Sequence, residues 1–112
     1  MGLLGTATAV ADVPFEQLRP FLTEERCRAL LGDPADVSVD VDGATVGMQG
    51  QFWYRGEYTF TPYGENGTEV TYRIRNVSGR PDAVIRLWQR KMLKDQQRAV
   101  EAYAAELPGR VG

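Results

Sequence analysis

The sequence predicts an α+β fold: a curved antiparallel β-sheet with two short helices and a long C-terminal helix packed across its concave face. Three observations lead there. From Val37 to Asn76 apolar residues alternate with polar ones, the period of β-strands. After Asp12, and again after Asp82, apolar residues recur three and four apart, as on one face of a helix. A sheet with one apolar face must also cover it, and the final segment is the only long amphipathic cover in the chain.

The elements follow in order. "TATAVA" (Thr6–Ala11) alternates small polar and apolar residues and reads as a first strand. Asp12 is placed to cap a helix with Pro14 in its first turn, and Phe15, Leu18, Phe21 and Leu22 share one face. Pro20 should break that helix. Thr23 then caps a second short helix that buries Cys27, Leu30 and Leu31 and stops at Gly32. "VSVDV" turns inward Val37, Val39 and Val41, and Asp42-Gly43 signals a tight hairpin leading into Ala44, Val46 and Met48. In the next strand Phe52, Tyr54, Tyr58 and Phe60 share a face, with Trp53, Arg55, Glu57, Thr59 and Thr61 opposite. Gly56 inside it suggests a bulge or bend. "PYGENG" is a turn, after which Val70, Tyr72 and Ile74 point inward and Glu69, Thr71, Arg73 and Arg75 outward, as in an antiparallel sheet with one wet face. Asp82 is a cap for the longest helix, Ala83 to Leu107, with an apolar stripe of Val84, Leu87, Trp88, Met92, Ala99, Val100 and Tyr103 and a stop at Pro108-Gly109.

A chain of 112 residues forms one domain, residues 1–112. A net charge of −2 argues against nucleic acid as the main partner, since phosphate binding normally requires a basic excess. There is no histidine and only one cysteine, Cys27. The commonest general base and metal ligand are therefore missing, and catalysis would rest on Asp, Glu, Tyr, Arg or Lys. No metal or cofactor is expected. No apolar run reaches a membrane span, and "MGLLGTATAVA" lacks the basic start of a signal peptide. The expected location is cytoplasmic.

The chain resembles the helix-grip superfamily, which includes START domains, birch-pollen-type allergens and bacterial polyketide cyclase/dehydrase-like proteins. The residues that carry the resemblance are "TATAVADVPFEQLRPFL", "YTFTPYGENGTEVTYRI" and the closing helix. This resembles a compact member, with about five strands where the family has six or seven, the shortfall lying between Gly32 and Gly50. The resemblance implies a pocket between sheet and helix for lipids, sterols or aromatic polyketides. Its wall would comprise Met48, Tyr54, Tyr58, Tyr72, Ile74, Trp88 and Met92. Amphipathic rings and adaptable methionines suit a mostly apolar ligand. The competing reading is that the same side chains fill the core of a small domain.

The expected function is non-catalytic binding of a small apolar, aromatic or lipid-like molecule. The alternatives are a polyketide cyclase/dehydrase-like enzyme and a protein-interaction module related to chaperone activators. No catalytic motif carries over. Asp95 is the one carboxylate placed near the helix–sheet mouth, and a solvated helix carboxylate is the plainer reading. Arg86, Arg90, Lys94 and Arg98, with Lys91 beside them, form a basic stripe suited to an acidic partner or anionic lipid, or to a solvated face. An outward Trp53 would mark a partner surface, and the shortened sheet would leave an edge that a homodimer could cover.

Overall fold

The computed structural model describes residues 2–31, 37–49 and 54–111, without the side chain of Trp88. The expected helix stop at Gly32 and the strand positions of Phe52 and Trp53 lie outside the described residues. Five strands form one antiparallel sheet: β1 (Leu3–Ala11), β2 (Ser38–Asp42), β3 (Thr45–Gln49), β4 (Tyr54–Tyr63) and β5 (Gly67–Asn76), in the spatial order β1-β5-β4-β3-β2. Between β1 and β2, at opposite edges, run α1 (Phe15–Leu18), a 3₁₀ turn (Arg19–Phe21) and α2 (Cys27–Leu30). As expected, Pro20 marks where α1 tightens into the 3₁₀ turn, and the Thr23 hydroxyl accepts from the Arg26 N–H at 3.2 Å.

The inward face has the expected composition. Val46, Phe60 and Val70 are buried with Leu18, Cys27, Leu30, Val100 and Leu107 in the main core. The small residues of β1 have a purpose here: Ala7 and Ala11 are buried beneath α5 (Gln96–Val111), whose Val100, Tyr103, Ala104 and Leu107 face inward. A second cluster at the other end joins Leu4, Ile74 and Ile85.

Several expectations need correction. The C-terminal helix is three segments: α3 (Asp82–Trp88), α4 (Arg90–Lys94) and α5. Its course stays helical across both bends, because Leu93 N–H donates to Gln89 O at 3.0 Å and Ala99 N–H to Asp95 O at 3.1 Å. A straight rod cannot follow a twisted sheet, and the bends let α3 bury Ile85 on Ile74 while α5 lies along β1. Leu87 and Ala99 of the expected stripe are exposed; α3 turns Ile85 inward, and Leu87, two residues on, faces the opposite way. The helix continues past Pro108 and Gly109 to Val111. Its last turn is held from outside by Arg110, which donates to Leu30 O at 2.9 Å and to Glu106 at 2.8 Å.

Neither predicted aspartate caps a helix; Pro14 and Pro81 occupy the N-cap positions. Asp82 instead opens α3 and accepts from the buried Asn76 amide at 2.9 Å. Asn76 also donates to Arg80 O and accepts from Ser78, so this one amide shapes the loop between β5 and α3. The β2–β3 turn comes one residue later than expected. Asp42 pairs with Thr45, and Gly43 supplies the positive φ of 60° at the first central position.

Gly56 makes no bulge, since the β4–β5 register runs unbroken from Tyr54 to Tyr63. It makes room: a Cβ on Gly56 would lie 2.6 Å from the Tyr72 hydroxyl. Gly56→Ala therefore forces Tyr72 to move and should cost about 1–3 kcal/mol, measured by urea unfolding. Adding Tyr72→Phe should restore part of that loss, because the closest clash is with the hydroxyl.

Candidate functional site

The site is built from two neighbouring cross-strand rows on the concave face. One reads Val46, Tyr58, Tyr72 and Ala7 across β3, β4, β5 and β1; the next reads Met48, Gly56, Ile74 and Gly5. The first row carries two phenols side by side. The second has glycine at two of its four positions, a trough in the row that neighbouring side chains occupy.

Residues directly opposite on one face pack against each other, and Tyr58 and Tyr72 do so as a stack, with ring centroids 4.5 Å apart. On its other side Tyr58 meets Tyr103 of α5 at 4.3 Å. Sheet and helix are thus joined by three consecutive phenol rings. The Tyr103 hydroxyl donates to Leu30 O at 2.7 Å, and Arg110 lies over the Tyr103 ring at 5.3 Å. Over the trough, Gly5 leaves space that the buried Gln96 side chain fills, and Gln96 Nε2 donates to Tyr72 O at 3.1 Å.

Of the residues predicted to line a pocket, Tyr54, Tyr72 and Met92 pack on the cluster that contains Ile74. Tyr58 belongs to the main core and links it to Tyr72. Met48 is half-buried at the β3 end of the glycine row. The Trp88 side chain lies outside the described residues. Sequence reasoning missed Gly5, Gly56 and Gln96 as parts of the site. The only signal for Gly56 was its place inside a strand pattern; Gly5 lies before the expected first strand, which the structure begins at Leu3, and nothing marked Gln96. Asp95 is exposed at the α4–α5 bend.

Burial dominates the electrostatics of the stack, because a phenolate loses its hydration there. The Tyr58 phenol is pushed up to about 12, with Arg110 opposing and Tyr54 adding to the rise. Tyr72 and Tyr103 are raised by the same desolvation. At ordinary pH all three are neutral hydrogen-bonding groups on apolar bodies, suited to holding a ligand by shape and one or two polar contacts.

The convex face carries the expected Arg55 and Glu57 and forms a different kind of surface. Arg55 binds Asp40 through two bonds of 2.5 and 2.8 Å and Glu57 at 3.2 Å, while Arg75 reaches Glu57 at 2.6 Å. Gly47, in register between Asp40 and Glu57, leaves the space that the Arg55 guanidinium crosses. The Arg55 hydrogen bonds hold Asp40 below its usual carboxylate range. Burial works to raise Glu57, but the bonds from Arg75 and Arg55 outweigh it and hold it low. These groups border a depression of about 340 Å³ with Asp42, Thr45, Thr59 and Arg73. Most of its charges are spent on one another, and it serves to tie four strands.

The stack has a pH signature. A raised phenol pKa means that the folded chain holds the proton more tightly than the unfolded one. The contribution of Tyr58 is complete below its ordinary value of 10.0 and is lost as pH rises toward about 12. Unfolding free energy should therefore fall across that window, and Tyr58→Phe should make the fall shallower in a series of urea titrations.

Comparison of the chain with known protein families, with curated proteins and with solved structures gives no match.

Proposed function

We propose that the protein binds a small apolar or aromatic, lipid-like molecule between the concave face of the sheet and the C-terminal helical segments, without catalysis. One observation carries this reading. Half-buried Tyr54, Tyr72 and Met92 pack around Ile74, and half-buried Met48 stands in the same cross-strand row on the far side of Gly56, over which Tyr72 lies. Apolar side chains, adaptable thioethers and a neutral phenol together suit a mostly apolar ligand. The central stack of Tyr72, Tyr58 and Tyr103 occupies the neighbouring row, so the ligand's place is the Met48–Ile74 end. The five-stranded antiparallel sheet with its C-terminal helix is compatible with the helix-grip arrangement, whose members use the space between those layers. The exposed position of Asp95 gives no support to an acid–base role for it.

Native mass spectrometry of the freshly purified protein, followed by denaturing extraction, should show a retained apolar molecule. The same spectrum reads subunit number and so tests pairing of two copies through a sheet edge. A solvent-sensitive naphthylamine dye should bind competitively with the extracted molecule. Met92→Ala should weaken it about tenfold, the worth of a partly buried methionine side chain, and Tyr72→Phe by less. No extractable molecule together with dye binding indifferent to Met92→Ala would sink the reading.

A further inference from the structure

The basic stripe takes no part in the concave site, and three of its side chains border one depression. Arg90, Lys91 and Lys94 of α4 line one depression of about 460 Å³. Arg98 follows, exposed on α5, and Arg86 lies a turn before them on α3, where it also donates to Leu3 O at 3.0 Å. Among the described residues Arg90, Lys91, Lys94 and Arg98 form no ion pair, whereas Arg55, Arg75 and Arg110 all do. Leu87, one turn before Lys91, is 65% exposed, the most exposed of the large hydrophobic side chains among the described residues.

The charge is segregated as well as clustered. Between Asp82 and Arg98 there are five basic side chains and two carboxylates; the rest of the chain carries eight basic and thirteen acidic ones. A protein with an overall charge of −2 is repelled by an anionic surface in most orientations. This one has a stretch from Arg86 to Arg98 whose sign is opposite, which orients it toward such a surface. Cations set around an exposed apolar side chain match the boundary of an anionic bilayer, where ammonium and guanidinium groups reach lipid phosphates and the apolar group enters the acyl edge. Duplex nucleic acid offers the phosphates but no place for Leu87.

We propose that the α3–α4 segment is a docking surface for membranes that contain anionic lipid, with Arg90, Lys91 and Lys94 on the headgroups and Leu87 inserted between them. Docking here is peripheral and salt-sensitive.

The test is co-sedimentation of the full chain with phosphatidylcholine vesicles made with and without phosphatidylserine. Binding is expected only with phosphatidylserine, and should vanish near 1 M salt, where charge is screened within about 3 Å. Arg90→Gln with Lys94→Gln should lower the partition coefficient about 25-fold, at roughly fivefold for each cation. Leu87→Ala should lower it several-fold and leave the salt dependence in place. Arg73→Gln, which removes one cation from the convex face, should leave binding unchanged, and matched urea midpoints confirm that each variant is folded. Equal binding to neutral vesicles, or a fivefold loss in Arg73→Gln, overturns the proposal. So does displacement from vesicles by inorganic phosphate, which would mark a phosphate pocket, and so does binding of duplex DNA through the same two cations without binding to vesicles.

Discussion

The structure depends on the contact between Tyr58 and Tyr103. Tyr58 stands near the middle of the sheet and Tyr103 near the middle of α5, and their rings meet at 4.3 Å. Together with the packing of α5 along β1, that contact sets the spacing of the two layers. On the sheet side the stack extends to Tyr72. On the helix side Tyr103 anchors α2 through Leu30 O, and Arg110 reinforces both partners by bonding the same carbonyl and covering the ring. Aromatic pairs of this kind contribute about 0.5–1.5 kcal/mol beyond their buried area. Their larger effect is geometric, because rigid rings set a distance that flexible aliphatic side chains would leave loose.

The two faces of the sheet solve opposite problems with the same device. On the concave side Gly56 and Gly5 yield space to Tyr72 and Gln96; on the convex side Gly47 yields space to Arg55. In each case a long side chain crosses a neighbouring strand through a position that has none. The concave crossing places a phenol and an amide over apolar ground. The convex crossing links Asp40 to Glu57 and, through Arg75, to β5. A sheet whose β2 strand has only five residues gains lateral cohesion from that ladder, which its short backbone pairing supplies sparingly.

Much of this was legible in the sequence, for reasons that also mark the limit. Strand alternation in "TEVTYRIRN" placed Tyr72 and Ile74 inward and Arg73 and Arg75 outward, because a period of two leaves no other choice once one face is buried. Four of the proposed site residues, Tyr54, Tyr72, Ile74 and Met92, consequently meet around one cluster. The bends at Gln89 and Asp95 had no local marker. Neither proline nor glycine stands there. Leu87 is out because Ile85, two residues before it, is the side chain that α3 turns inward. Pro108 misled in the other direction, since a stop signal was overridden by Arg110 holding the last turn. The roles of Gly5, Gly47 and Gly56 depend on which side chain lies across the neighbouring strand, and that is a fact of register that no window of sequence contains.

The position of β1 has a further consequence, for the order of events on the ribosome. Its one strand partner is β5, and its free side is tied by Arg86 to Leu3 O and by Gln97 to Thr8 O, contacts spanning 83 and 89 residues. A strand whose partners are all made late waits unpaired while the intervening chain is synthesised, and so many long-range contacts slow its docking once they are present. An exposed strand in that interval risks pairing with another chain. β1 carries neither a charge nor a proline to discourage such pairing, so the small residues that permit the final packing leave the chain dependent on prompt completion of the fold.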